Sequence, residues 1–171
     1  MDMTNFPPMY TIQLAEATRE RQLALWCQLV VRSALAKDQA VAVVDLATFP
    51  AFSNAKIQRS LDDAGRRLVG DALVERQLGQ WEDAAKTRLL VSSRTIEAWA
   101  STIYEWARDT GRLGTAPSTV YEVYAGDDAQ RTPLEGLHPD VCLKALKVLE
   151  QQGKAVVIVG DSVDSTGVKF V

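Results

Sequence analysis

Histidine and cysteine are scarce in this sequence: its 171 residues include one His and two Cys. His138 stands alone beside Pro139, so no imidazole cluster is present to bind a metal, and its ring is expected to cap backbone N–H groups where a helix starts. Cys27 and Cys142 fall inside separate apolar helical patterns without a Cys-x-x-Cys partner, which reads as two buried thiols rather than nucleophiles or metal ligands. Gly65 and Gly70 are isolated within a helical pattern, so no phosphate-cradling glycine loop is formed. Together these gaps leave no catalytic residue, cofactor site or metal site, and they argue against an enzyme. Long apolar runs are missing as well, none approaching the roughly 18 residues that span a bilayer. The first residues lack a basic-then-apolar leader, and with so little cysteine the chain is expected in a reduced intracellular compartment rather than a secreted one. Positive charge is not in excess either. A net charge of −3 and a pI near 5.2 give no overall field to draw the chain onto nucleic acid or an anionic membrane.

What is present is ordinary globular material. Hydrophobic residues make up 47% and charged residues 24%, so the chain is expected to fold, as one domain or as two compact ones. Thr18 offers a cap for a helix whose apolar positions Leu23, Trp26, Val30 and Ala34 recur at helical spacing. Val41 to Leu46 reads as a strand, and Pro50, Ser53 and Asn54 as a turn and cap before a short helix holding Ile57 and Leu61. A third helix starts at Asp62 or Asp63 and runs to Gly79, which suits a left-handed helix end, and "QWEDAAKTRLLVS" reads as a hairpin.

The second half repeats this order. Ile96, Trp99, Ile103 and Trp106 stripe a helix, "TVYEVY" reads as a strand, and "AGDDAQ" is an acidic linker. Pro139 opens a helix through Cys142, Leu146 and Leu149 to Gly153, before "KAVVIV" and "GVKFV" pair around "GDSVDST". Matching Gly79 to Gly153, a shift of about 74 residues, lays Leu68 on Cys142 and Ala72 on Leu146, the registry a duplication would leave. The four tryptophans, Trp26, Trp81, Trp99 and Trp106, read as core residues. Helix, strand, helix, hairpin is the winged-helix plan. The expected class is therefore α+β, with an extended proline-containing segment over 1–14 and tandem winged-helix domains over 15–92 and 93–171.

A winged helix that reads DNA needs several unopposed Lys or Arg. Here Arg66, Arg67 and Arg76 are offset by Asp62, Asp63, Asp71 and Glu75, while Lys144 and Lys147 face Asp140 and Glu150. Asp161 and Asp164 in the second wing would approach phosphates. Nucleic-acid or transcription-associated binding is thus the alternative, and protein recognition the expected use of the fold.

"FPPMY", residues 6–10, stands ahead of the first helix. Consecutive prolines favour an extended polyproline conformation with little chain entropy left to lose on docking, and Phe6 and Tyr10 supply aromatic anchors. A frayed terminus and a Pro-Pro-x-Tyr ligand for a WW domain are the other readings of the segment alone. "FPPMYTIQ", "TRERQLALWCQLV", "FSNAKIQRSL", "TIEAWASTIYEWARDTG", "TVYEVYAGD" and "GVKFV" together resemble, in order from Phe6 to Val171, the small-subunit family of the endosomal sorting complex ESCRT-II, the vacuolar protein-sorting-associated protein 25 family.

The resemblance implies a non-enzymatic subunit, without cofactor or metal, in the sorting of ubiquitinated membrane cargo to multivesicular bodies. Two copies would attach to the two larger winged-helix subunits. Pro7, Pro8 and Tyr10 would insert into a hydrophobic groove on the partner, with Phe6 as an auxiliary contact and Arg59 reaching an acidic site. The second domain would receive an ESCRT-III subunit of the charged multivesicular body protein class. By the same resemblance the chain would be cytoplasmic and recruited peripherally to the endosomal membrane, with no membrane insertion of its own; the charge balance above argues against a nucleic-acid partner.

Overall fold

The computed structural model describes residues 3–36 and 39–171 and divides into two compact units, one ending at Ser93 and the other spanning Arg94–Val171. In the first unit, helix α1 (Glu16–Ala34) is followed by strand β1 (Val41–Asp45), a short hairpin β2 (Ser53–Asn54) and β3 (Arg59–Ser60), helix α2 (Asp63–Glu75), and the wing strands β4 (Gly79–Trp81) and β5 (Arg88–Ser92). The sheet is antiparallel in the order β1-β5-β4, with Val43 opposite Leu90 and Trp81 opposite Leu89. Leu23, Trp26, Cys27 and Val30 of α1 meet Val69 and Leu73 of α2 and Leu89 and Val91 of β5 in one buried core.

Three expectations for this unit change. Helix α1 begins at Glu16 behind Ala15, so Thr18 lies inside the first turn and caps nothing. The short helix expected after Asn54 is the β2–β3 hairpin. The Asn54 Oδ1 accepts from Lys56 N at 3.0 Å and Gln58 takes a φ of 53°, which reverses the chain before a helical turn can form. Asp62 does cap α2, accepting from Gly65 N at 2.7 Å. The left-handed residue that ends α2, however, is Gln77, φ 59°, with Leu78 N donating to Leu73 O at 2.9 Å; Gly79 already belongs to β4.

The second unit runs α3 (Ile96–Asp109), β6 (Ser118–Thr119), α4 (Val120–Ala125), α5 (Pro139–Gln151), β7 (Ala155–Ile158) and β8 (Gly167–Phe170). Its sheet order is β6-β8-β7. Trp99, Ile103, Cys142, Leu146, Leu149 and Phe170 are buried at its centre. "TVYEVY" is chiefly helix α4 rather than a strand. Thr119 and Glu122 form a reciprocal capping box, Glu122 N to Thr119 Oγ1 at 3.2 Å and Thr119 N to Glu122 Oε2 at 2.7 Å, and this outweighs the strand preference of Val and Tyr. The "AGDDAQ" linker contains a 3-10 turn at Asp127–Ala129.

Both units thus place a helix, a strand, a second helix or hairpin, a third helix and a two-stranded wing in the winged-helix order. The equivalence between them is shifted two positions from the one expected. Asp62 and His138 are the caps of α2 and α5, so Val69 matches Ala145, Leu73 matches Leu149 and Gln77 matches Gly153. The expected pairing of Leu68 with Cys142 fails on burial, since Leu68 is 40% exposed and Cys142 fully buried.

A candidate protein-docking face

The segment from Met3 to Gln13 lies folded against the first unit. Pro7–Tyr10 forms a 3-10 turn, with Met9 N donating to Phe6 O at 3.0 Å and Thr11 N to Pro8 O at 3.3 Å. This differs from the extended polyproline segment expected. Proline fixes φ near a value that polyproline and 3-10 conformations share, so ψ is left to the surroundings. Those surroundings are α1. Gln22, a buried polar residue, donates through Nε2 to the carbonyls of Pro8 (3.2 Å), Met9 (3.0 Å) and Thr11 (2.8 Å), and its Oε1 accepts from Gln13 N at 3.0 Å. Trp26 Nε1 donates to the same Met9 carbonyl at 3.0 Å. Four segment groups are drawn onto one helix face, which turns the chain inward after Pro8.

Tyr10 is correspondingly part of the core. It is 5% exposed, meets Trp26 edge-on with ring centroids 5.5 Å apart, and donates its hydroxyl to Thr4 O at 3.0 Å. In this conformation the ring is turned inward rather than presented to a partner's groove, where the resemblance would place it, and Tyr10 is a post on which the turn is built. Phe6, Pro7 and Pro8 face outward, Phe6 at 41% exposure. On the other side the β2–β3 hairpin runs beside the turn, and Asn54 Nδ2 donates to Thr4 O at 2.7 Å. Arg59, on β3, is exposed and bonds its neighbour's carbonyl, Gln58 O, at 3.2 Å. The structure therefore brings Phe6, Pro7, Pro8 and Arg59 to one side of the first unit and sets Tyr10 behind them. Sequence reasoning missed Gln22. A polar residue between Leu23 and Arg21, on the turn of helix that also carries buried Trp26, was the available signal.

The competing sites are weak in chemistry. Arg66 of α2 is consumed internally, donating to Leu61 O at 2.8 Å, Leu46 O at 3.1 Å and Ala47 O at 3.0 Å. Arg76 pairs with Glu20, and Lys86 with Asp71 at 2.6 Å. Few cations of that helix and wing are left for phosphates. Burial pushes the Cys27 thiol up to about 11 and the Cys142 thiol to about 12, so neither is a thiolate at neutral pH. The His138 Nδ1 accepts from Asp140 N at 3.3 Å, a capping role. Among the described residues no group of three or more His, Cys, Asp or Glu is arranged to hold a metal, and no helix is long and apolar enough to cross a membrane.

Similarity to known proteins is extensive. A family model described as ESCRT-II complex subunit matches residues 3–138. The chain is 34% identical to vacuolar protein sorting-associated protein 25 of Arabidopsis thaliana, covering 97% of this chain and 92% of that protein. It is 35% identical to the protein of the same name from Danio rerio, covering 97% and 94%. In structure it is similar to the crystal structure of subunit VPS25 of the endosomal trafficking complex ESCRT-II, with a TM-score of 0.79 at 20% identity over 100% of this chain and 98% of that one. It is also similar to a chain of the crystal structure of endosomal complex ESCRT-II (VPS22/VPS25/VPS36), with a TM-score of 0.70 at 21% identity over 100% and 98%.

Proposed function

This chain belongs to the ESCRT-II complex subunit family, whose members are parts of an endosomal trafficking complex, and from that membership we propose that it is the adaptor arm of such a complex. Its first unit docks on the larger winged-helix subunits through Phe6, Pro7 and Pro8, held outward by Tyr10, with Arg59 pairing to an acid on the same partner. Two copies join one pair of larger subunits. The second unit, about residues 93–171, receives an ESCRT-III subunit of the charged multivesicular body protein class, which links clustered ubiquitinated cargo to membrane scission. The chain reaches the endosomal membrane peripherally, through its partners. Two arms per complex raise the effective concentration of the ESCRT-III subunits they hold, which favours nucleation without any bond chemistry.

One observation carries the reading. The exposed Phe6-Pro7-Pro8 turn and Arg59 lie side by side, and the turn is already hydrogen-bonded onto α1 without a partner, which lowers the ordering entropy that would oppose docking. The test is light scattering of the protein mixed with the two larger subunits. Wild type should give a mass fitting two copies of this chain. A Phe6→Ala, Pro7→Ala, Pro8→Ala variant that folds normally should leave the larger subunits bare; full assembly by that variant would overturn the reading. Arg59→Ala should weaken assembly, whereas binding to a simple WW-type partner would be indifferent to it.

A further inference from the structure

A groove runs between the Met3–Gln13 segment and the outward face of α1. It consists of two hollows, of 350 Å³ and 710 Å³, that share Met3, Met9 and Leu25 as lining residues. The smaller one is continuous with the docking turn, because Phe6 and Pro8 also line it. Arg21 lines the smaller hollow and Arg32 the larger. Both arginines are exposed, and neither makes an ion pair or hydrogen bond among the described residues. Among the described residues no acid lines either hollow, although the chain as a whole carries −3. The other arginine of this stretch, Arg19, is tied to Leu14 O at 3.3 Å, and Glu20 is taken by Arg76.

Methionine and leucine shared by both hollows, with Arg21 on the smaller, Arg32 on the larger and no acid among the described lining residues, are complementary to a peptide that carries apolar anchors flanked by acids. Arg21 and Arg32 are eleven positions apart on α1, or roughly 16 Å along a helix. The geometry points to this groove as a second interaction surface, which takes an acidic, apolar-anchored segment of a larger ESCRT-II subunit. The inference rests on the docking reading above, since Phe6 and Pro8 belong to both surfaces and a partner seated on the turn lies beside the groove mouth. An anionic membrane is the less suitable occupant. The surface is concave, whereas a bilayer presents a broad flat face of headgroups.

The arginines supply orientation and salt-sensitive attraction, and the methionines and Leu25 supply burial. The experiment titrates the purified pair of larger subunits with wild type, R21E/R32E, R21K/R32K and the Phe6, Pro7, Pro8 alanine variant, at about 50 mM and about 300 mM salt. Circular dichroism confirms each fold, which two exposed helix positions should not disturb. The expected result is about a tenfold weaker affinity for R21E/R32E at low salt, a flattened salt dependence, and near wild-type behaviour for R21K/R32K. Wild-type affinity of R21E/R32E at both salts, with the Phe6, Pro7, Pro8 variant failing to bind, would overturn the groove and leave the docking turn standing. Wild-type binding by the Phe6, Pro7, Pro8 variant would instead remove the docking reading and the source assigned to the segment. Cosedimentation with phosphatidylserine vesicles that R21E/R32E abolishes, without an effect on the subunit titration, would assign the arginines to lipid and overturn the proposal.

Discussion

Trp81 lies directly on the backbone of α2, and glycine at position 70 is what lets it. A Cβ there would stand 2.3 Å from Trp81 Cη2 and 2.4 Å from Cζ2. The indole cannot simply swing away, because its Nε1 donates to Asp71 Oδ1 at 3.0 Å and Lys86 stands 5.7 Å from its ring. Gly70→Ala therefore sets a helix-propensity gain of about 1 kcal/mol against an overpacking cost of about 1–3 kcal/mol. Urea denaturation should show net destabilisation, and in a Trp81→Leu background the same substitution should become neutral or stabilising; a loss of equal size in both backgrounds would show that the contact is not the cause. Asp71 extends the argument to pH. Partial burial, the largest single influence, raises its carboxyl, but hydrogen bonds from Lys86 and Trp81 and the Lys86 charge together outweigh it and hold it below the ordinary carboxylate value. A carboxylate depressed in the folded state contributes stability that is present above its unfolded pKa of about 4 and is lost as pH falls through the lower folded value. Stability measured between neutral pH and about pH 3 should therefore fall less steeply in Asp71→Asn than in wild type.

At the scale of elements, the N-terminal turn depends on one helix residue. Gln22→Leu keeps the side chain's bulk but removes three donated bonds and one accepted bond, leaving Gln13 N without its acceptor and the carbonyls of Pro8, Met9 and Thr11 with only Thr11 N, Trp26 Nε1 and Gln13 Nε2 as donors. A stability loss of about 1–3 kcal/mol is expected. Amide exchange should rise over Met9 to Gln13 and little elsewhere, and assembly with the larger subunits should weaken because the turn must order as it docks. Unchanged exchange in that stretch would remove Gln22 from this role. The glycine that ends α5 gives a cleaner magnitude: Gly153 sits at φ 71° with nothing near its missing Cβ, so Gly153→Ala should cost about 1 kcal/mol in thermal or chemical melts from backbone strain alone. What the sequence made legible here was whatever carried its own local signal. The stripes of α1 and α3, the Asp62 and His138 caps and both wings could be read from spacing and capping chemistry. Misreadings occurred where a side chain acts at a distance or against propensity: the Asn54 turn inside an apparent helix, the Thr119–Glu122 box beneath a strand-like run, and Gln77 in a left-handed conformation that Gly79 advertised. The N-terminal turn was legible as a proline motif but not in shape, since Gln22, Trp26 and Tyr10 set its fold and no local pattern records their convergence.

For the molecule as a whole, each unit carries its own sheet and its own buried core. Strand β5 ends at Ser92, where Ser92 N still donates to Leu78 O at 2.9 Å, and Thr95 already caps α3 by accepting from Ala98 N at 3.2 Å. A fragment beginning at residue 94 keeps that cap and every strand pairing of the second sheet. It should melt cooperatively by circular dichroism, and its melt should be untouched by substitutions in the Phe6-Pro7-Pro8 turn when these are made in the full chain and the two transitions are followed separately. The proposed division of labour then makes a paired expectation. The fragment should bind an ESCRT-III subunit and leave the larger ESCRT-II subunits unbound, while a fragment ending at residue 93 should do the reverse, each with the affinity of the full chain. Bridging is the property neither fragment can have, so an equimolar mixture of the two should fail to bring an ESCRT-III subunit to the larger subunits in a pull-down. Recovery of bridging by the mixture would mean that the units reassociate or that one unit holds both surfaces, and the adaptor arrangement would have to be redrawn.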